Sequence, residues 1–443
     1  MAELYDVIIV GAGPAGAVAA KVAGENGLKA ALIERKTDIG IIRRICTMII
    51  GINEEGFGEY LTYNQKNKVF VFPHNGFSLK YDGPTRNIYG FHIISPSAHR
   101  FQLGDVTKAK AEKHPPVALM VDKGYWMKIL VDEARANGVE VFTNTNVNHI
   151  RKESDCVVLT DNRGNEYRGV FVIAADGVNS RIGRELGFNK ERIFLGTYKD
   201  MARTYEGVEI PDEDVLMFCM GWKNSISLSP ELTEGHCHIA AASYNVNAKL
   251  DEEIDRFLNA EPYATWFKNA REIGRRTSCA SNIASPVPVP FRDNVLLVGD
   301  ACWMQETGNT AAMALGWKAA HAVTEALIKG QTNKEGISPF LEWYDNYYYQ
   351  PRGKRMASSG GAEIKDYLSP EDIDYLVSLV PEPQPATMNA YTIFSTIGKT
   401  FSGLLPRIQE ERPDIMQRLL AMRSYPRELA LARRRNEGCA IIS

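Results

Sequence analysis

Four short apolar runs punctuate the chain, each closed by a glycine or an acid. Val7-Ile8-Ile9-Val10 is β-branched throughout and reads as a strand buried on both faces. It enters Gly11-Ala12-Gly13-Pro14-Ala15-Gly16 without a break. The alanine-rich stretch that follows predicts a helix to about Glu25, stopped by Asn26-Gly27. Ala30-Ala31-Leu32-Ile33 predicts a second strand ending at Glu34. Far downstream, residues 170–175 predict a strand closed by Asp176-Gly177. Residues 294–298 predict another, closed by Gly299-Asp300 and followed by a helical stretch over 308–327. Leu250, Ile254, Phe257 and Leu258 recur at helical spacing and predict a helix over 249–270. Ser285-Pro286-Val287-Pro288-Val289-Pro290 reads as a stiff extended linker. Residues 351–443 read as helical, broken by Pro381, Pro383, Pro385 and Pro406.

Composition narrows the class. The 443 residues are about right for two or three packed modules, and 44% hydrophobic with 24% charged is ordinary folded composition. A balance of 51 Lys+Arg against 54 Asp+Glu leaves a net charge of −3, too weak a field to steer the molecule to nucleic acid. No apolar run reaches the ~20 residues of a membrane-spanning helix. The start of the chain lacks the basic segment and cleavage site of a signal peptide, so a cytoplasmic location is the expectation. Seven widely spaced cysteines without a CxxC argue against a disulfide framework or an iron–sulfur cluster.

The first forty residues carry the clearest chemistry. In a strand–GxGxxG–helix–strand–acid series, Gly11 permits the tight turn and Gly13 lets backbone N–H groups approach a pyrophosphate. Gly16 lets the helix pack on the strand, and the helix N-terminus attracts the diphosphate. Glu34 is placed to accept hydrogen bonds from ribose hydroxyls. A dinucleotide site is expected here. Asp300 closes a strand at the end where open α/β sheets bind ligands, and is placed to hold a ribityl hydroxyl or ordered water.

The GAGPAG turn, the Asp176-Gly177-x-x-Ser180-x-x-x-Arg184 segment and the late Gly299-Asp300 pair together resemble the FAD flavoproteins of the p-hydroxybenzoate-hydroxylase-like superfamily. The resemblance implies an α/β fold. Its parts are a Rossmann-like FAD-binding domain of the glutathione-reductase type with a parallel sheet, an inserted antiparallel β-sheet substrate domain and a C-terminal helical region. The implied FAD domain is discontinuous over 1–55, 98–188 and 270–350; the substrate domain takes 56–97 and 189–269, and the helical region 351–443. Carried over residue by residue, the cofactor contacts are Gly11, Gly13, Pro14, Ala15, Gly16, Glu34 and Arg35, then Arg44, Cys46, Val147, Ala175, Asp176 and Gly177, and finally Gly299, Asp300, Gly308, Asn309 and Thr310. There is no second GxGxxG for a separate NAD(P)H domain.

Within that superfamily the chain is similar to the geranylgeranyl reductases. The shared features are Arg43-Arg44-Ile45-Cys46 with Gly51 following, and the strand-like residues 90–94 before Ser95-Pro96. Two more are the stretch from Lys123-Gly124-Tyr125-Trp126 to Gly138-Val139-Glu140-Val141 and the Tyr425-Pro426-Arg427 segment. Two places depart. Where prenyl-lipid reductases carry a Tyr-x-Trp-x-Phe-Pro motif, this chain has Ser225-Ile226-Ser227-Leu228-Ser229-Pro230, which implies a different substrate shape. The loop expected over 302–310 lacks the usual proline, and Glu306 within it is expected to be exposed.

The resemblance implies an FAD-dependent oxidoreductase that reduces C=C bonds of a hydrophobic substrate, isoprenoid, lipid or aromatic-derived, by hydride transfer from reduced flavin. An aromatic monooxygenase using NAD(P)H and O2, and an electron-transfer flavoprotein serving a quinone, are the alternatives. Cys46 is the candidate catalytic residue, tuning the flavin or donating a proton; otherwise it is a packed small residue. The implied electron donors are NAD(P)H or reduced ferredoxin, with a redox partner protein in the second case. Arg433-Arg434-Arg435 would suit peripheral contact with the inner membrane surface, and Cys439 misses the CaaX length by one residue. His236-Cys237-His238 is not expected to bind metal, because adjacent strand residues point to opposite faces. Trp343-Tyr344 and Tyr347-Tyr348-Tyr349 read as an aromatic packing face.

Overall fold

The computed structural model describes residues 3–56, 58–353 and 364–424, without the side chains of 303–307, 352 and 353. The first sheet is built on the apolar runs. Leu4–Val10 lies between Ala30–Ile33 and Glu166–Ala174, parallel to both. Glu140–Phe142 extends one edge in parallel, and Val295–Leu297 pairs in parallel with the end of Glu166–Ala174. An antiparallel hairpin of Val147–Lys152 and Val157–Asp161, and the short Phe291–Arg292 antiparallel to Val295–Leu297, complete it. Helices Pro14–Glu25 and Asp300–Ile328 pack together on this sheet, and Lys123–Ala136 packs against the first of them. Val7, Ile8 and Ile9 alternate between the two faces of the central strand and are all fully buried, so both faces are covered.

The helix after Gly299 begins at once at Asp300 and runs through residues 302–310, expected to be a loop. Asp300 sits in its first turn, where a carboxylate complements the exposed N–H groups. Gly308 keeps a φ of +47 inside it.

The second sheet has seven strands in the order Arg100–Leu103, Gly90–Ile94, Val215–Cys219, Ser225–Pro230, His236–Ser243, Phe194–Glu206 and Arg271–Ala284. It is not purely antiparallel as expected: Gly90–Ile94 and Val215–Cys219 run parallel. These two strands come from separate insertions, and the long intervening chain supplies the crossover a parallel pair requires. Arg271–Ala284 and Arg100–Leu103 belong to this sheet, which moves them out of the expected FAD-domain segments 270–350 and 98–188. Residues 62–80 instead form a small three-stranded sheet. Its Phe70 stacks on Trp126 of the Lys123–Ala136 helix at 4.6 Å.

Strand alternation sorts the second sheet. Ile226 and Leu228 join Cys237, Ile239 and Ala241 in a core against Leu250, Ile254 and Phe257 of the Leu250–Asn259 helix. The serines of 225–230 take the opposite face. That helix stops short of the expected residue 270, because Pro262 disfavours helical backbone in the residue before it. A 3₁₀ turn, Tyr263–Phe267, follows.

The C-terminal helices are Pro370–Ser378, Ala390–Glu411 and Pro413–Arg423, packed on the edge strand through Phe101 and Leu103. Pro406 does not break its helix; the break falls at Arg412, before Pro413. Buried Ile393 and Ile408 anchor the helix on either side of the proline, so packing outweighs the lost backbone bond. Tyr344 and Tyr348 stack at 5.8 Å and are fully buried, whereas Tyr347 is exposed. Among the described residues, no helix is long and apolar enough to cross a membrane. The Tyr425-Pro426-Arg427 segment, Arg433-Arg434-Arg435 and Cys439 lie outside the described residues, as does the Glu306 side chain.

Candidate functional site

The glycine turn sorts its three glycines by what each must avoid. Gly11 has a φ of +101, and a Cβ there would lie 2.4 Å from the Ala175 carbonyl oxygen. A Cβ on Gly16 would lie 1.8 Å from the Gly11 oxygen. Both positions are required by the protein itself. A Cβ on Gly13 would meet no protein atom within 4 Å; it would project into open space. Gly13 is thus spare as far as the fold is concerned. Glu34 braces the turn: one carboxylate oxygen accepts from Ala12 N–H at 2.7 Å and the other from Lys36 N–H at 2.8 Å.

In front of this turn lies a cavity of about 660 Å³. The structure brings Gly11, Gly13, Pro14, Ala15, Glu34 and Arg35 to its wall, then Arg44, Cys46 and Val147. Ala175, Asp176, Gly177, Gly299, Asp300, Gly308 and Asn309 complete it. Gly16 lies behind the turn, and Thr310 lies on the long helix away from the wall. Sequence reasoning missed Lys123, Asn179 and Arg181, which also line the cavity. Lys123 had one local signal: it opens a helix capped by Asp122, whose side chain accepts from Tyr125 N–H.

The electrostatics are specific. Arg44 and Asp300 form an ion pair across the cavity. Asp176 uses one carboxylate oxygen to accept from Arg181 N–H at 2.9 Å and Ile182 N–H at 3.2 Å. Its other oxygen is buried without a partner. Burial raises the Asp176 carboxyl above its ordinary range despite those hydrogen bonds. The Cys46 sulfur receives Met48 N–H at 3.4 Å, Lys123 Nζ at 3.6 Å and Asn309 Nδ2 at 3.9 Å. Burial pushes this thiol up, but the Lys123 charge and the hydrogen bonds outweigh it, and the net shift is downward.

An extended dinucleotide fits these residues. The space beside Gly13 admits a phosphate where any other side chain would intrude. The orphaned Asp176 oxygen awaits a donor, and the volume falls in the usual range of about 300–1,000 Å³ for a cofactor site. The other cysteines lack this setting: burial pushes the Cys302 thiol up to about 12. His236 and His238 stand on one strand with Cys237 buried on the opposite face. No group of His, Cys, Asp and Glu among the described residues could hold a metal ion.

Comparison with known proteins gives a consistent answer. Residues 78–330 match the family model described as FAD binding domain. The chain is 24% identical over 387 residues to a digeranylgeranylglycerophospholipid reductase of Methanococcus vannielii, covering 86% of this chain and 91% of that one. It is 25% identical over 437 residues to the enzyme of the same name from Thermoplasma volcanium, covering 94% and 100%. Among solved structures, a geranylgeranyl bacteriochlorophyll reductase-like protein from Thermoplasma acidophilum superposes with a TM-score of 0.66 at 21% identity, over 95% of this chain and 99% of that one. A leucine-to-tyrosine mutant of halogenase PltM in complex with FAD superposes with a TM-score of 0.59 at 17% identity, over 76% of this chain and 73% of that one. These superpositions establish a shared fold.

Proposed function

This chain belongs to the FAD binding domain family, and from that premise we propose that it is an FAD-dependent reductase of carbon–carbon double bonds in an isoprenoid or lipid-type substrate. The observation that carries the reading is the convergence of the Gly13 space, the orphaned Asp176 oxygen and the Cys46–Lys123 cluster on one cavity. The similarity to two lipid-chain reductases over most of both chains supports the substrate class.

Bound FAD supplies two-electron chemistry, taking electrons from a donor and passing them to an alkene carbon as hydride. The protein's part is binding and electrostatics. The N–H groups of the Gly11–Gly16 turn take the pyrophosphate, Glu34 and Arg35 the adenosine ribose, and Asp300 the ribityl chain. Arg44 offers positive charge to phosphate or reduced flavin. Of the two roles expected for Cys46, its lowered thiol favours tuning the flavin over donating a proton. The Cys46 sulfur, held by Lys123 Nζ, Met48 N–H and Asn309 Nδ2, helps set the local field at that end of the cavity. The serine face at 225–230 replaces an aromatic wall and suits a substrate of a different shape. Electrons come from NAD(P)H or a small redox protein such as reduced ferredoxin, and the lipid substrate is met at a membrane surface.

The test is anaerobic. The purified protein, its flavin reduced chemically, is mixed with a digeranylgeranylglycerophospholipid in detergent micelles. Loss of the reduced-flavin spectrum and a product heavier by one H2 per double bond support the reading. Product that forms only in oxygen and carries an added oxygen atom makes the protein an oxygenase instead. Reoxidation by quinone alone makes it an electron-transfer flavoprotein.

A further inference from the structure

The second sheet presents two faces of opposite character. Ile226, Leu228, Ile239 and Ala241 are fully buried against the Leu250–Asn259 helix. The alternation therefore turns Ser225, Ser227, Ala240 and Ala242 to the other side. Asp200 pairs with Ala242 and Ala202 with Ala240 across the neighbouring strand, so Asp200 and Ala202 share that side. The result is a floor of small residues with one carboxyl group on it.

This floor meets the flavin cavity at one edge. Cys279 is the partner of Asp200 on the last strand, and its sulfur lies 2.7 Å from an Asp200 carboxyl oxygen. The backbone N–H of Ile45, next to Cys46, donates to the Cys279 sulfur. Asn179, on the cavity wall, donates to the Ala280 carbonyl at 3.0 Å and accepts from Asn282 N–H at 3.0 Å. On its other flank the floor opens into a second cavity of about 300 Å³, lined by Tyr198, Ala242 and Ser225 with Phe218 and Met220. Asp200 thus stands between the strand that borders the second cavity and the segment that carries Arg44 and Cys46.

We propose that Asp200 is the acid that protonates the substrate carbon, and that Cys279 is the residue that positions it. This rests on the reductase reading above. As the alkene π bond breaks, one carbon forms a C–H bond with hydride from reduced FAD, which is oxidised. The other carbon forms a C–H bond with the Asp200 proton. Asp200 is left as a carboxylate, held by the Cys279 S–H and the Arg44 charge until water returns the proton. The groups facing the pair are Arg44, with Asp300 behind it, and Tyr198. Burial raises the Asp200 carboxyl against the pull of Cys279 and Arg44, and burial together with Asp200 raises the Cys279 thiol. A carboxyl whose proton affinity is raised by burial, with a thiol donating to it at 2.7 Å, suits the role of general acid.

The experiment uses the FAD-loaded protein, reduced anaerobically and mixed with digeranylgeranylglycerophospholipid micelles, with flavin reoxidation followed against pH. Wild type should lose rate as pH rises and Asp200 ionises. Asp200→Asn should slow reoxidation by about 100-fold or more and lose that limb, with bound FAD per chain unchanged. Cys279→Ser, which keeps a hydroxyl donor, should retain most of the rate with the limb displaced. Independently of turnover, peptide-resolved alkylation of Cys279 in the oxidised protein should move to lower pH in Asp200→Asn. An Asp200→Asn variant with wild-type rate and pH profile overturns the proposal while leaving the reductase reading intact. Unchanged Cys279 alkylation overturns the pairing. A wild type whose reduced flavin the lipid does not reoxidise overturns the reductase reading and this proposal with it.

Discussion

Lys123 and Cys46 meet inside the cavity, the ammonium nitrogen 3.6 Å from the sulfur. They come from distant parts of the chain. Lys123 is aimed by the first turn of its helix, which Asp122 caps and which Tyr81 steadies by accepting Asp122 N–H at 2.7 Å. The pair makes Cys46 the one cysteine among those described whose thiol is shifted down.

Lys123→Met should therefore raise the Cys46 thiol, since burial then acts with less opposition. The pH at which iodoacetamide alkylates Cys46 should move up, read by peptide mass spectrometry. The sign for stability follows. A thiol depressed in the folded state contributes stability above its unfolded value and loses it as pH falls through the folded one. The advantage of wild type over Lys123→Met should grow as pH rises through the thiol range. An unchanged alkylation profile would show that Lys123 does not set the thiol.

Gly13→Ala and Gly16→Ala should separate binding from folding. The Gly16 methyl would overlap the Gly11 carbonyl, so that variant should lose about 1–3 kcal/mol or more in a denaturant titration whether or not FAD is added. The Gly13 methyl meets nothing in the protein, so stability should hold while FAD affinity falls at least about tenfold, as a lost charge-assisted contact would cost. Equal loss of stability in both variants would contradict the reading.

Asp176→Asn tests the orphaned oxygen. A carboxyl raised on folding opposes the folded state above its folded value and ceases to do so below its unfolded value. The FAD-free variant should match or exceed wild-type stability at neutral pH, and the difference should vanish in acid. FAD should bind about tenfold more weakly if the free oxygen accepts a bond from it. A stability loss at neutral pH with full FAD affinity would count against the assignment.

Phe257→Ala probes the support of the second sheet. Phe257 is fully buried and contacts Trp222 and Tyr263 at ring-centroid distances of 5.2 and 4.6 Å. The cavity should cost about 3–5 kcal/mol in chemical denaturation. FAD affinity should change less than stability, because the glycine turn lies on the other sheet.

The readable parts of the molecule were those governed by neighbours in sequence. The continuous apolar runs at 7–10, 30–33 and 170–175 declare buried parallel strands because such strands are covered on both faces. Gly16 is dictated by the backbone of Gly11, a few residues away, whereas Gly11 answers to the distant Ala175 carbonyl. Harder to read were features that depend on packing between distant segments. The Ala390–Glu411 helix passes through Pro406 because Ile393 and Ile408 are buried on either side of it. Arg271–Ala284 joins the second sheet because Phe194–Glu206 offers it a long edge.

The site divides the same way. Glycine spacing and the acids closing each strand marked one end of the cavity, since strand, turn and helix follow one another within forty residues. Lys123 beside Cys46, and Cys279 beside Asp200, are pairs 77 and 79 residues apart in the chain. No local pattern links them. The sequence by itself determined which cofactor class the first strand and turn suit, because those contacts are made by adjacent backbone. Only the tertiary structure decided which titratable side chains share a low-dielectric space, because charge and proton affinity depend on distance and burial rather than on order along the chain.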